Sequence, residues 1–182
     1  MGKIQDIFMV EEKTTVIKSY SEDETVSWGR ILGGLLKAGD IVGLIGDLGA
    51  GKTYFVKGVA DGLGIPEDQY VASPTFTLIN EYKGSVTLYH FDLYRIQHEK
   101  EIEGLGYKEY LFGNGLVIIE WAEKMLRFLP EEHLLIEIVR VNDKTRKFIF
   151  TGRGRWYSEI LEHIEERQKY QYSFSKFIRV GV

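Results

Sequence analysis

Residues 46–53 read Gly46-Asp47-Leu48-Gly49-Ala50-Gly51-Lys52-Thr53, a complete G-x-x-x-x-G-K-S/T phosphate-binding loop. Its glycines let the backbone wrap tightly, so that N–H groups converge on phosphates at the positive end of a following helix. Lys52 reaches the β- and γ-phosphates in such a loop, and the Thr53 hydroxyl ligates the magnesium ion held between them. The chemistry implied is nucleoside triphosphate binding, and it needs more than a cradle. An acid near the metal, groups that place an attacking water, and a cation for developing charge complete such sites.

Two segments offer the acids. One is His90-Phe91-Asp92-Leu93-Tyr94-Arg95 and the other is Glu120-Trp121-Ala122-Glu123, which directly follows an apolar run. An acid capping an apolar strand is similar to the second metal-handling motif of phosphate-loop enzymes. Ser73-Pro74-Thr75-Phe76-Thr77 lies where nucleotide switches place a hydroxyl that senses the γ-phosphate, so Thr75 or Thr77 is a candidate for that part. Arg95, Arg153 and Arg155 are candidate charge stabilisers, although arginines are more often solvated surface residues. Asp92 ends a stretch with polar neighbours and is expected in a wetter position than Glu120.

The elements that must carry these groups follow from the apolar patterning. Asp40–Ile45 reads as a buried strand before the loop, and Phe55, Val56, Val59, Ala60 and Leu63 mark an amphipathic helix after it. Thr14–Lys18 reads as a first strand. A capping box at Ser21-Glu22-Asp23-Glu24 opens a helix expected to run to about Lys37, with Gly39 as its stop. Phe76–Tyr82 and Val86–Phe91 form an expected hairpin, and residues 97–112 read as short helical pieces broken at Gly104 and Gly106. Leu116–Ile119 is the continuous apolar run of a strand covered on both faces. A second hairpin is expected from 134–139 and 147–151, then a helix from about Ser158 to Arg167. The fold class is therefore α/β: a three-layer P-loop NTPase domain with a mixed, mostly parallel central sheet. Its ligand belongs at the carboxyl ends of the strands.

Within 182 residues this predicts one domain over 14–167, a leader over 1–13 and an extension over 168–182. The net charge of −4 argues against gripping nucleic acid by bulk charge. No apolar run approaches the roughly 18 residues that cross a bilayer, and the start carries no signal-peptide core, so a cytoplasmic protein without membrane partners is expected. The absence of cysteine excludes disulfides, thiolate metal sites and a cysteine nucleophile.

The blocks GDLGAGKT at 46–53, SPTFTLINEY at 73–82, HFDLYR at 90–95 and EWAE at 120–123 together resemble the bacterial TsaE family, also called YjeE. Its members are the ATPase component of the system that makes threonylcarbamoyladenosine in tRNA. The resemblance covers roughly residues 14–165. It implies ATP and Mg2+ as ligands, weak intrinsic hydrolysis, and TsaD-like and TsaB-like partner proteins through which tRNA is met indirectly. Carried over by motif, Gly46 through Thr53 hold the phosphates, and Thr53 and Glu120 bind magnesium. Asp92 assists hydrolysis together with Lys52, Thr75 lies in a switch-like segment, and Trp121 neighbours the nucleotide. Glu22 matches a position near the base or ribose. Tyr54 stands where the family often has a second threonine, and the tail from Tyr170 to Val182 extends past the usual end, as a docking strand or an unstructured tail. Read from the residues alone, a small-molecule P-loop kinase is the alternative, because the same cradle serves both reactions. A guanine-reading Asn-Lys-x-Asp sequence does not occur.

Overall fold

The computed structural model describes residues 10–179, and side chains through residue 170. Seven strands are joined in one sheet: β1 (Glu12–Ser19), β2 (Ile41–Ile45), β3 (Ile79–Tyr82), β4 (Leu88–Asp92), β5 (Leu116–Glu120), β6 (His133–Arg140) and β7 (Arg146–Arg153). Their order is β1-β7-β6-β2-β5-β4-β3. The four central strands β6, β2, β5 and β4 run parallel, while β3, β7 and β1 are antiparallel additions. The mixed sheet expected from the alternation of strands, helices and hairpins is the one observed. Among the described residues no helix is long and apolar enough to cross a membrane.

Strand alternation divides the core into two layers of side chains. On β5, Leu116 and Ile118 point to one face and Val117 and Ile119 to the other, and all four are buried. The first face is covered by α1 (Glu22–Gly33), α2 (Lys52–Gly62) and α5 (Arg155–Arg179). The second is covered by the short helices α3 (Glu99–Gly104) and α4 (Tyr107–Leu111) with the segment after β5. Phe55 of α2 centres the first layer, fully buried with its ring 5.4 Å from Phe148 and 6.3 Å from Phe150. Truncating a buried phenylalanine of this kind costs about 3–5 kcal/mol.

Helix α1 starts where the capping box placed it. Ser21 Oγ accepts a hydrogen bond from Glu24 N at 3.1 Å, and the Glu24 carboxylate accepts from Tyr20 N at 2.6 Å. The acids of its first turn also complement the helix dipole. The helix ends at Gly33, four residues before the expected Lys37. Gly33 and Gly34 weaken it there, and Lys37 N is drawn off to Asp40 Oδ2 at 2.8 Å. Gly39, with φ of 89°, instead shapes the turn into β2 and donates its N–H to Gly115 O.

Three further boundaries differ from expectation. Glu12 and Lys13 belong to β1, because their backbone pairs with Arg153 and Gly152, so the leader ends earlier; residues 1–9 lie outside the described ones. Residues 75–77 form a turn rather than strand, since Leu78 N closes back on Pro74 O at 2.7 Å and β3 begins only at Ile79. Helix α5 continues through 168–179, so that stretch of the extension is neither a strand nor unstructured; residues 180–182 lie outside the described ones.

Helices α1 and α2 meet through glycine on both sides. A Cβ at Gly29 would stand 2.3 Å from Phe55 O, and one at Gly58 would stand 2.1 Å from Val26 O. Gly33 and Gly62 are equally confined, by Val59 O and Arg30 O. Reciprocal G-x-x-x-G spacing therefore brings the two backbones into contact. That seam sets where α2, and the loop that opens it, sits above the sheet.

Candidate functional site

Parallel pairing puts the carboxyl ends of β2, β4 and β5 at one edge of the sheet, with Leu44, Glu120 and Asp92 in register across three strands. The phosphate loop leaves β2 at that edge and turns into α2. Gly46 (φ 150°) passes so close to Ile138 O that a Cβ would lie 2.5 Å from it, and Gly51 (φ 108°) takes a left-handed conformation at the α2 cap. Side chains other than glycine rarely adopt that conformation. The result is a cavity of about 360 Å3, lined by the loop from Leu48 to Tyr54 and by Glu22, Ser73, Thr75, Asp92, Tyr94, Glu120, Trp121 and Arg146. That volume lies in the range of small-molecule sites.

The two acids are both buried, Asp92 2% and Glu120 3% exposed, so the expectation of a wetter Asp92 is corrected. Of the two polar neighbours that suggested wetness, Tyr94 is 46% exposed, whereas His90 is fully buried with its Nε2 3.0 Å from Glu120 Oε1. What distinguishes the acids is their partners. Asp92 accepts at both oxygens: Oδ1 from Tyr94 N at 2.9 Å, Oδ2 from Thr75 Oγ1 at 2.6 Å and from Ser73 Oγ. Glu120 takes both of its hydrogen bonds on Oε1, from Thr53 Oγ1 at 2.9 Å and from His90. Its Oε2 has no protein partner among the described residues. A hydroxyl and a carboxylate side by side at the head of α2 are hard oxygen donors, the kind magnesium takes together with phosphate oxygens and water. The residues present fit that ion.

Lys52 folds over the loop. Its Nζ donates to Gly46 O and to Asp47 O, the latter at 3.1 Å, and stands 3.9 Å from the centre of the Trp121 ring. Burial lowers the Lys52 pKa, and the negative charges of Glu120, Glu123, Asp92 and Asp47 partly oppose that shift. Trp121 reaches this place because its backbone turns left-handed, φ 60°, immediately after β5. A non-glycine residue held there stores strain on the order of 1–3 kcal/mol, the kind that collects at functional sites. Tyr94, in the turn that follows β4, stands beside the indole with ring centres 5.1 Å apart.

Of the residues singled out in the sequence, Glu22, Leu48 through Thr53, Thr75, Asp92, Glu120 and Trp121 all line one cavity. Gly46 and Asp47 lie beneath it and contribute the carbonyls that hold Lys52. Thr77 is not brought in; its hydroxyl is turned to Asn80 Oδ1 at 2.9 Å. Arg95 lies over Phe76, Arg153 pairs with Glu12 and Arg155 with Glu159, so none of these arginines lines the cavity. Ser73 and Arg146 were not chosen from sequence. Ser73 stood in a motif already marked, whereas Arg146 meets Ala50, a residue 96 positions away. No local pattern announces such a contact.

Comparison with known proteins converges on one family. A family profile described as "Threonylcarbamoyl adenosine biosynthesis protein TsaE" matches residues 19–148. The Bacillus subtilis (strain 168) protein named "tRNA threonylcarbamoyladenosine biosynthesis protein TsaE" is 43% identical over 148 residues, 81% of this chain and 91% of that one. A protein of the same name from Treponema pallidum is 43% identical over 129 residues, covering 71% of this chain and 94% of its own. Among solved structures, the crystal structure of Bacillus subtilis YdiB superposes with a TM-score of 0.74 at 37% identity, covering 86% of this chain and 97% of that one.

Proposed function

The chain belongs to the TsaE family, and from that membership and its cavity we propose that it is a magnesium-dependent ATPase subunit of tRNA threonylcarbamoyladenosine biosynthesis. In this reading it acts in the cytoplasm with TsaD-like and TsaB-like proteins. It does not itself transfer the modifying group, and it meets tRNA only through them. One observation carries the nucleotide reading: the Thr53 hydroxyl of a complete phosphate loop bonds the buried Glu120 carboxylate at 2.9 Å. Two motifs far apart in the sequence thereby converge where a phosphate-bound cation would sit.

In this mechanism the backbone N–H groups of Gly49 to Thr53 cradle the phosphates at the amino end of α2. Lys52 leaves the loop carbonyls for the β- and γ-oxygens, and the Trp121 ring keeps its ammonium on that path. Thr53 and Glu120 Oε2 would hold magnesium, which would supply positive charge to neutralise the phosphates. Asp92, fixed by Ser73 and Thr75, orients the attacking water and accepts its proton. Because Thr75 sits in the 73–78 turn, a hydroxyl drawn toward the γ-phosphate would pull that turn away from Asp92. Nucleotide state would then reach the surface through Phe76, which is 82% exposed.

The test is reconstitution with TsaD-like and TsaB-like proteins and tRNA, scoring modified adenosine with wild type and with Lys52→Ala. Lys52→Ala is expected to lower ATP affinity or phosphate release by about tenfold or more, with an unchanged melting curve, and to fail in reconstitution. A folded variant with wild-type hydrolysis removes this loop as the active site. ADP formation that requires an added small-molecule acceptor, with the phosphoryl group recovered on that acceptor and no inorganic phosphate released, would make the protein a kinase instead.

A further inference from the structure

The cavity has two flanks and two cations, and the nucleotide reading above uses only one of each. Lys52 stands on the flank of Glu120 and Asp92. Arg146 stands on the other, because β7 lies beyond β6 on the side of β2 away from β5 and β4. Its guanidinium is held by backbone alone. Nε donates to Ala50 O at 3.0 Å, and Nη1 donates to Asn142 O and Asp143 O, both at 3.1 Å. Thr145 O lies 3.5 Å from Nη1. The turn supplying these carbonyls is itself closed by Asn142 Oδ1, which accepts from Lys144 N and Thr145 N. The one acid of that turn, Asp143, is engaged by Arg140 at 2.6 Å. Among the described residues Arg146 has no carboxylate partner and its Nη2 makes no hydrogen bond.

A half-buried guanidinium, aimed by three carbonyls and left without a counter-charge beside a phosphate loop, is arranged for an external anion. Its Nε lies 3.8 Å from where a Gly51 Cβ would stand, so the charge sits against the head of α2. We propose that Arg146 is a nucleotide-binding residue that supplies a second positive charge to the phosphates at their nucleoside end. The inference rests on the reading of the cavity as a nucleoside triphosphate site. Since the contact is remote from the γ-phosphate, it stabilises ATP and ADP alike and is already made before hydrolysis.

The experiment measures ATP and ADP affinity across a salt series for wild type, Arg146→Gln and Arg146→Lys. Arg146→Gln is expected to weaken both nucleotides, ATP and ADP alike, by about tenfold. It should also flatten the dependence of affinity on salt, which a purely structural role would leave unmoved. Arg146→Lys should keep the salt dependence and recover part of the affinity, and it serves in place of Arg146→Gln if the latter does not fold. Wild-type affinity and salt dependence in folded Arg146→Gln, or a loss confined to ATP, overturns the assignment. If wild type itself binds no ATP, the nucleotide reading fails; if wild type binds and Arg146→Gln matches it, only the role of Arg146 fails.

Discussion

The rim of the cavity and the seam between α1 and α2 both bring distant parts of the chain into contact, but with opposite means. At the rim, side chains from the loop, the 73–78 turn, β4 and β5 hold one another by hydrogen bonds: Thr53 with Glu120, Glu120 with His90, Thr75 and Ser73 with Asp92. At the seam the side chains are missing, and backbone meets backbone at Gly29, Gly33, Gly58 and Gly62. A hydrogen bond between hydroxyl and carboxylate can be traded for one to a phosphate, or for coordination of a metal by the same oxygens, at little net cost. Backbone contact offers nothing to trade. The rim is therefore the part that can respond to a ligand, and the seam is the part that keeps the rim's pieces in place while it does so.

The largest expected effects come from cutting the rim at each acid, and the two cuts should differ. Glu120→Ala removes the carboxylate beside Thr53 and leaves His90 without its partner. ATP affinity in magnesium is expected to fall about tenfold or more, and hydrolysis with it. Asp92→Ala should lower turnover by about 100-fold or more while ATP affinity stays within about threefold, the pattern of a group needed mainly in the transition state. Affinity measured over a magnesium series, alongside single-turnover hydrolysis, separates them. The reverse pattern exchanges the roles; no change in either variant makes both acids structural.

Next in size is a cut at the seam. Gly58→Ala places a methyl group against Val26 O, which the helices relieve only by moving apart. Overpacking of this kind costs about 1–3 kcal/mol, read as a lowered urea midpoint. The comparison is sharpened if ATP affinity falls as well, because the seam then positions α2 for the loop. A midpoint equal to wild type would show that the helices have room that the close approach denies.

These two regions were unequally legible in the sequence. The rim lies in short blocks whose residue types carry their own chemical meaning, so its members stood out although they come from four segments. Apolar periodicity found α1 and α2, but it scores glycine as filler. The four seam glycines have meaning only once the helices face each other, which a single helix pattern does not encode. Asp92 was misjudged for a related reason. Polar residues beside it suggested water, whereas His90 is buried with its Nε2 on an acid of the neighbouring strand. Arg146 was missed because its partner Ala50 is on another element altogether.

The smallest effect tests whether acid acts on the rim or elsewhere, and it involves His133 at the opposite end of the sheet. His133 opens β6, is buried, and lies 2.7 Å through Nδ1 from Pro130 O. Burial is the main cause that lowers its pKa below the ordinary 6.5. The Pro130 and Glu131 backbone contacts and the Glu12 charge raise it, and the Arg153 charge lowers it. A histidine with a depressed folded pKa contributes stability that is fully present above the unfolded value and lost as pH falls through the folded one. His133→Asn keeps a donor near Pro130 O and removes the titration. The difference in unfolding free energy between wild type and His133→Asn should thus be constant above pH 6.5 and shift against wild type below it. Urea unfolding across that range is the measurement. ATP affinity of the two proteins should meanwhile change with pH in parallel, because His133 lies at the far edge from the cavity. A stability difference that does not vary with pH removes His133 as the titrating group, and affinities that diverge with pH would mean that the two ends of the sheet are coupled.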